Sequence, residues 1–369
     1  MGGRRFPVRL EAYDCGYDGA DALAGARHLV QEHDAALVMM LGGDSFTEVR
    51  DYLMGHKVLT SSLLTSDLSP DTPYLIAPGE SLPIYTVTAV EWIAKHRSEI
   101  KTVALCAQTD ALGLPALAAY RAAFKAVGIE IVAEIRYDPG TATAPEVVTP
   151  MLAAAPDMLC WCTSYTPMVH AMTEYAYHQG YAGQILSCTA DCYEQLIALT
   201  SPEFMEGFLF QFPDFDDPAL AEKAFFFNQP QAFYEEYNAR FPGSWTAVSW
   251  EYAAILDIWQ SAVERAGTVN SVSVLAAMRQ LGEVNHAFGP AQWWGQDMFG
   301  LDHTLIGDWP VVQIQGGKAR IVDFGSIPDW LAQHEALLRV EMAALGQLWH
   351  QRHGQGAGKA CLEARLVVS

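Results

Sequence analysis

Short apolar runs of strand length alternate with amphipathic segments of helix length along most of this chain. That alternation restricts the fold more than any other feature. Residues 36 to 41 form a continuous apolar run, as a strand buried on both faces requires. Before it, Asp18 to His33 sets Leu23, Ala26 and Val30 on one helical face. A strand is predicted at Pro7 to Tyr13, a short helix at Ser45 to Gly55 and a strand end at Val58 to Ser61. Pro70, Pro73, Pro78, Gly79 and Pro83 then interrupt the pattern, which marks a boundary or crossover.

After the interruption the alternation restarts. Leu82 to His96 reads as a helix and Thr102 to Cys106 as a strand. Leu114 to Val127 places Leu117, Tyr120, Phe124 and Val127 on one face, and Gly128 is its stop signal. Apolar and charged residues alternate from Ile129 to Arg136, which predicts a strand exposed on one side. Further strands are predicted at 157 to 162, 185 to 188 and 208 to 212, with a helix at 168 to 179. Helices follow at 219 to 241, 246 to 266 and 274 to 281, then a hairpin turning at Gly316-Gly317 and a helical tail from Asp329. Strands separated by helices of this length mean parallel sheets covered by helices. With 369 residues, two packed units are expected. The predicted class is α/β, with two Rossmann-like lobes. One lobe is expected from 1–78 plus 213–280, the other from 79–212 plus 281–325, with 326–369 as a tail. Open α/β sheets bind ligands beyond the carboxyl ends of their strands, so two facing lobes share one cleft.

The charge balance removes some partners. With 43 acidic against 22 basic residues and a formal net charge of −21, the surface repels phosphate backbones and anionic lipid heads. No apolar run reaches the ~18 to 20 residues of a membrane helix. The segment Met1 to Pro7 carries two arginines with no apolar stretch behind them, so it does not read as a secretory signal. The cysteines (15, 106, 160, 162, 188, 192 and 361) are odd in number and do not form a disulfide framework. Cys160 and Cys162 share one strand face, with Cys188 and Cys192 at the next strand end. A metal cluster, a Cys162–Cys188 disulfide and plain core thiols all remain open, the last favoured by how often small thiols are buried. His170 and His178 have no third ligand for a metal, and His350 and His353 read as solvated. Phosphate-loop, dinucleotide-loop and nucleophile-elbow signatures are missing. No cofactor is expected.

Several segments, in order, resemble the branched-chain-amino-acid-binding family, the type I periplasmic binding proteins of ABC-type uptake systems. They are FPVRLEAYDCGYDGADALAGARHLVQEHDAALVMMLGG, KTVALCAQTDALGLPALAAYRAAFKAVGIEIV, PDMLCWCTSYTPMVHAMTEYAYHQGY and FGPAQWWGQD. The resemblance covers roughly residues 5 to 325. It implies a strand and helix before Phe6, the strand lying between those at 7 to 13 and 36 to 41. Either the natural chain begins upstream, with a signal peptide and that strand, or another segment such as the tail fills the slot. The family disulfide near Cys15 has no counterpart, since its partner position falls in GGDS.

The resemblance also implies a site. Ser45, with amides at the start of the Phe46 helix, matches the family's ligand-carboxylate anchor, although a serine there also suits a helix cap. Ser62 falls at a backbone-contact position, and Leu64 where amino-acid binders carry a threonine. In the second lobe Tyr165 matches an aromatic cover and Leu112 replaces one. Thr189 lies near an ammonium-pairing acid, for which Asp191 is a substitute. With Trp161 added, the pocket reads as less polar than an amino-acid site. The expected ligand is a small carboxylate, an aromatic acid or an amide. The implied role is that of a monomeric, non-enzymatic, extracytoplasmic protein that closes on its ligand and presents it to an ABC permease. A sensor of the same fold is the alternative, and an α/β enzyme a more distant one.

Overall fold

Parallel strands need crossover connections, and the chain supplies them as helices. The computed structural model describes residues 5–16, 18–79, 84–188, 190–221, 230–245, 249–280, 284–286 and 288–352. A parallel three-stranded sheet contains β1 (Val38–Met40), β2 (Thr60–Ser62) and β3 (Leu75–Ile76) in that order. A nine-stranded sheet contains β4 (Thr102–Gln108), β5 (Glu130–Tyr137), β6 (Met158–Cys160), β7 (Gln184–Leu186), β8 (Leu209–Phe210), β9 (Val284–His286), β10 (Gly289–Trp294), β11 (Thr304–Gln315) and β12 (Lys318–Ser326). Its order is β5-β4-β6-β7-β8-β11-β10-β9, with β12 also on β11. From β5 to β8 the pairs are parallel; from β8 onward they are antiparallel.

The 12-residue strand β11 ties the two lobes together. At its start Thr304 bridges Ala77, and Thr304 Oγ1 donates to the Ala77 carbonyl at 2.8 Å. At its far end Val312 and Gln313 pair with β8. Val284, Ala291 and Leu305 share a core with Leu59, Ile76, Ile258 and Met278. The hairpin β11–β12 turns at Gly316 (φ 56°) and Gly317 (φ 76°), two left-handed positions that glycine occupies without steric cost. Gly128 likewise ends the helix Gly113–Val127 in the left-handed region. β5 lies at the sheet edge and is half-exposed, as its alternating sequence predicts.

One predicted strand does not form. Among the described residues, 7 to 13 have no strand partner, and Val8 and Leu10 are exposed. β1 pairs with β2 on one side, and among the described residues nothing pairs with its other edge. A strand is defined by its neighbours' hydrogen bonds, so the pattern at 7 to 13 could not make one alone. Nor does the described tail enter that slot. Its helix Ile327–Ala344, capped by Ser326, packs on the helix Gly113–Val127. There Glu341, 4% exposed, pairs with Lys125 and lies 3.7 Å from Arg121. The last described turn, Trp349–Arg352, reaches the first lobe, where Arg352 donates to the Leu68 carbonyl at 3.1 Å.

Candidate functional site

The loops that follow the carboxyl ends of β1, β2, β4, β6, β7 and β8 carry the candidate site. The first-lobe and second-lobe loops touch: Ser66 Oγ, after β2, donates to the Ala111 carbonyl, after β4, at 3.2 Å.

In the first lobe Gly43 precedes the helix Asp44–Gly55 and no side chain caps it. Ser45 is buried, and its hydroxyl donates back to the Gly42 carbonyl at 3.0 Å, so it does not serve as a helix cap. Phe46 and Leu64 are buried in the core. Ser62, at the end of β2, donates to Asp67 Oδ2 at 2.6 Å, and its Oγ accepts the Leu64 N–H at 3.0 Å. The Gly43 N–H donates to the same carboxylate, at 2.9 Å from Oδ2 and 3.2 Å from Oδ1. A carboxylate of the chain itself thus occupies the amide and hydroxyl donors that the sequence suggested for a ligand's carboxylate. Burial raises the Asp67 pKa to about 7, against the lowering effects of Ser62, Gly43 and the more distant Arg352.

Gly42 makes this arrangement possible. Its φ is +102°, and a Cβ there would lie 2.0 Å from Ser62 Oγ and 2.2 Å from Asp67 Oδ2. Gly42→Ala should therefore destabilise the protein by about 2 kcal/mol or more through strain and displacement of the Asp67–Ser62 pair. Equilibrium denaturation checks this; a cost below about 0.5 kcal/mol would mean that the loop adapts freely.

In the second lobe Asp110 accepts the N–H groups of Leu112 and Gly113 at 3.0 and 2.8 Å, which starts the helix Gly113–Val127. Leu112 is partly buried. Gln108 Oε1 accepts the Tyr165 N–H at 3.0 Å, and the Tyr165 side chain is 38% exposed. Trp161 points the other way. It is fully buried, its Nε1 donates to Thr173 Oγ1 at 3.1 Å, and it belongs to the core on the sheet face opposite Cys160 and Cys162. Strand alternation puts neighbours on opposite faces, so the two cysteines could share a face only by turning Trp161 to the other. The described cysteines are free thiols, with Cys160 and Cys162 Sγ 4.0 Å apart and Cys188 Sγ 2.5 Å from Tyr85 Oη. Among the described residues no group of three His, Cys, Asp or Glu side chains is placed to hold a metal ion. Thr189 lies outside the described residues. Asp191 accepts from Thr166 Oγ1 at 3.4 Å, and its carbonyl lies 2.8 Å from His170 Nε2.

Asp191 also lines a cavity of about 260 Å³ at the carboxyl ends of β7 and β8. Tyr193, Asp214, Tyr234 and Trp245 line it as well, and sequence reading did not select them. Asp214 sits beside the Asp216-Asp217 pair that reads as a turn. Asp217 does hold such a turn, accepting the Ala219 N–H at 2.8 Å. A larger cavity of about 570 Å³ lies at the opposite, amino end of the second-lobe strands, lined by Ile100, Asp157, Gly183 and Gly207 among others. Ligands of open α/β sheets bind beyond the carboxyl ends, so the smaller cavity is the better candidate.

Residues 1–319 match the profile of the family described as Periplasmic binding protein. The chain belongs to the periplasmic binding protein family. Solved structures with the same fold include an ABC transporter substrate-binding protein from Sphaerobacter thermophilus, with a TM-score of 0.71 and 18% identity over 88% of each chain. The leucine binding protein LivK from Thermotoga maritima matches with a TM-score of 0.68 and 16% identity, over 86% of this chain and 87% of its own. A branched chain amino acid ABC transporter periplasmic ligand-binding protein from Burkholderia xenovorans matches at 0.68 and 14%, over 88% and 87%. At such identities the likeness to these three structures concerns the fold. No curated protein matches the chain. Among the described residues no helix is long and apolar enough to cross a membrane.

Proposed function

We propose that this periplasmic binding protein is the extracytoplasmic solute-binding component of an ABC importer. It grips a small molecule between its lobes without transforming it and presents the closed complex, as a monomer, to a membrane permease. The observation that carries this reading is the meeting of carboxyl-end loops from both sheets, through Ser66 and Ala111, and a separate cavity stands at the carboxyl ends of β7 and β8. We draw the lobes as residues up to about 78 with 213–280 and β9, β10 and the start of β11, against 79–212 with the rest of β11 and β12. We place the boundary inside β11, where the sequence alone suggested residue 281, on the packing of Val284, Ala291 and Leu305 with Leu59 and Ile76.

Leu112, Tyr165 and Asp191 are our second-lobe contacts, and Ser62 and Asp67 our first-lobe ones. Of the ligand classes suggested by the sequence, an amide suits this cleft better than a carboxylate or an aromatic acid. An amide can donate to Asp67, whereas a carboxylate would compete with it for Gly43 and Ser62.

A thermal-shift screen of amides, amino acids, amines and carboxylates tests the reading. A ligand at about 100 times its Kd adds ~2.7 kcal/mol of stability by linkage, a shift of several degrees. Tyr165→Ala should weaken the best ligand about tenfold while leaving the ligand-free melting point nearly unchanged, since the ring is exposed. A chain that no small molecule stabilises does not support solute binding, and unchanged affinity in Tyr165→Ala removes that ring from the site.

A further inference from the structure

We propose that the tail helix and the turn after it form a strap across the two lobes. Arg352 at its tip is a positioning residue for Asp67, brought to that first-lobe carboxylate by a helix seated on the second lobe. The role of Asp67 as a ligand contact rests on the solute-binding reading; the strap itself does not.

The seat is on the second lobe. The helix Ile327–Ala344 follows β12 directly and lies along the helix Gly113–Val127. Leu338 and Met342 are buried in one core with Leu117, Tyr120 and Phe124. Beside them Glu341 pairs with Lys125 and lies 3.7 Å from Arg121, which Glu134 holds in turn at 2.6 Å. A buried acid placed against two cations of one neighbouring helix fixes how the two helices meet.

The tip is on the first lobe. Arg352 donates at 3.1 Å to the carbonyl of Leu68, the residue after Asp67, and its guanidinium carbon stands 6.0 Å from the centre of the Phe299 ring. Trp349 lies against Gly300, where a Cβ (φ +80°) would come within 3.1 Å of Trp349 Cδ2 and 2.6 Å of Pro70 Cδ. Arg339 pairs with Asp297. By the division drawn above, Leu68, Pro70, Asp297, Phe299 and Gly300 all belong to the first lobe.

Between seat and tip the chain turns at Gly346 (φ 69°), and bonds across the turn stiffen it. The Gln347 N–H donates to the Met342 carbonyl at 2.8 Å, and Gln351 Nε2 to the Ala343 carbonyl at 3.1 Å. The tip therefore moves with the long helix, and the long helix with the second lobe.

At the tip, charge meets charge. The charged groups acting on Asp67 are Asp44, from the helix Asp44–Gly55, which disfavours its ionised form, and Arg352, which favours it. The Gly43 N–H and the Ser62 hydroxyl favour it as well. Burial lowers the Arg352 pKa to about 10, against the influence of Asp67, and among the described residues its buried Nε has no hydrogen-bond partner. Away from water such charges act on one another more strongly. Without the cation, Asp67 should keep its proton to a higher pH.

Denaturant unfolding of the ligand-free full chain between about pH 4 and 9 reads this out. The stability of each protein, relative to its own Asp67→Asn partner, falls with pH and levels off once the folded Asp67 has ionised. In Arg352→Gln that levelling should come at a higher pH than in the parent, and Arg352→Lys, which keeps the charge, should bring it back. Glu341→Lys sets a third cation beside Arg121 and Lys125 and so unseats the helix. Its levelling should also move up, whereas a positive charge acting only through space would move it down. If Glu341→Lys does not fold, Glu341→Gln should give a smaller shift in the same upward direction. An unmoved levelling in Arg352→Gln, or one that Arg352→Lys does not restore, overturns the role of Arg352. A shift in Arg352→Gln with none, or a downward one, in the Glu341 variant means that the tip docks without the second lobe, and overturns the strap. None of these outcomes touches the thermal-shift screen, so the strap and solute binding stand or fall separately.

Discussion

Trp309→Ala should be among the most destabilising single substitutions in this protein, costing about 3–5 kcal/mol. Trp309 is fully buried in the middle of β11, between the part of the strand that pairs with β10 and the part that pairs with β8. Its ring stacks on Tyr85 with centroids 4.9 Å apart and meets Phe288 edge-on at the same distance. Phe212 and His286 lie within 5.8 and 5.9 Å. Its Nε1 donates to the Gln211 carbonyl at 3.0 Å. Truncation removes a large apolar surface, leaves a cavity among rings drawn from three other chain segments and orphans a buried carbonyl. Because the proposed lobe division puts those segments on both sides, the loss should appear as one cooperative drop in stability and not as selective melting of one lobe. Denaturant titration followed by fluorescence and by circular dichroism tests this. A cost under about 1 kcal/mol, or two separated transitions, would show that the ring cluster is not a shared core.

Stability should also fall as pH rises from 5 to 8, and Asp67→Asn should remove much of that slope. The pKa of Asp67 is about 7 in the folded chain, above its ordinary 3.8. A group whose folded pKa is raised binds its proton more tightly when folded. Its contribution is therefore complete below about pH 4 and is lost as pH climbs through about 7. Three pKa units correspond to at most ~4 kcal/mol, and the partial exposure of the side chain reduces this, so about 2–3 kcal/mol is expected. Asp44 beside it acts in the same direction, and Arg352 from the tail opposes it. Asp214, raised to about 6, adds a smaller slope over a lower range that Asp67→Asn leaves in place. Asparagine can still accept from Gly43 and Ser62 without carrying charge. The variant should thus match the parent near pH 5 and exceed it at pH 8. Parallel stability–pH curves for the two proteins would sink this account of Asp67.

Much of the fold was legible because it depends on local rules. The apolar run at 36 to 41, the helical face of Leu117, Tyr120, Phe124 and Val127, and the glycines at 128 and 316–317 each state their structure within a few residues. The order of those segments sufficed to suggest the family, and the family profile over residues 1–319 agrees. Where a decision needed distant partners, reading along the chain failed. Residues 7 to 13 carry a strand-like pattern but, among the described residues, have no neighbour to pair with. Trp161 reads as a pocket residue from the sequence, yet its burial depends on which sheet face β6 turns inward.

The sequence by itself determined the succession of strands, helices and turns, the acidic character of the surface and the loops on which a site would stand. Those are consequences of side-chain periodicity and backbone preference, which act over one or two turns of chain. Only the tertiary structure decided what those loops contain. Asp67 meets Gly43 and Ser62, Asp214 meets Tyr193 near Tyr234 and Trp245, and Arg352 reaches Leu68 from 284 residues away. Such meetings follow from how sheets and helices pack, and no short stretch of sequence encodes which two loops a fold will bring to the same edge.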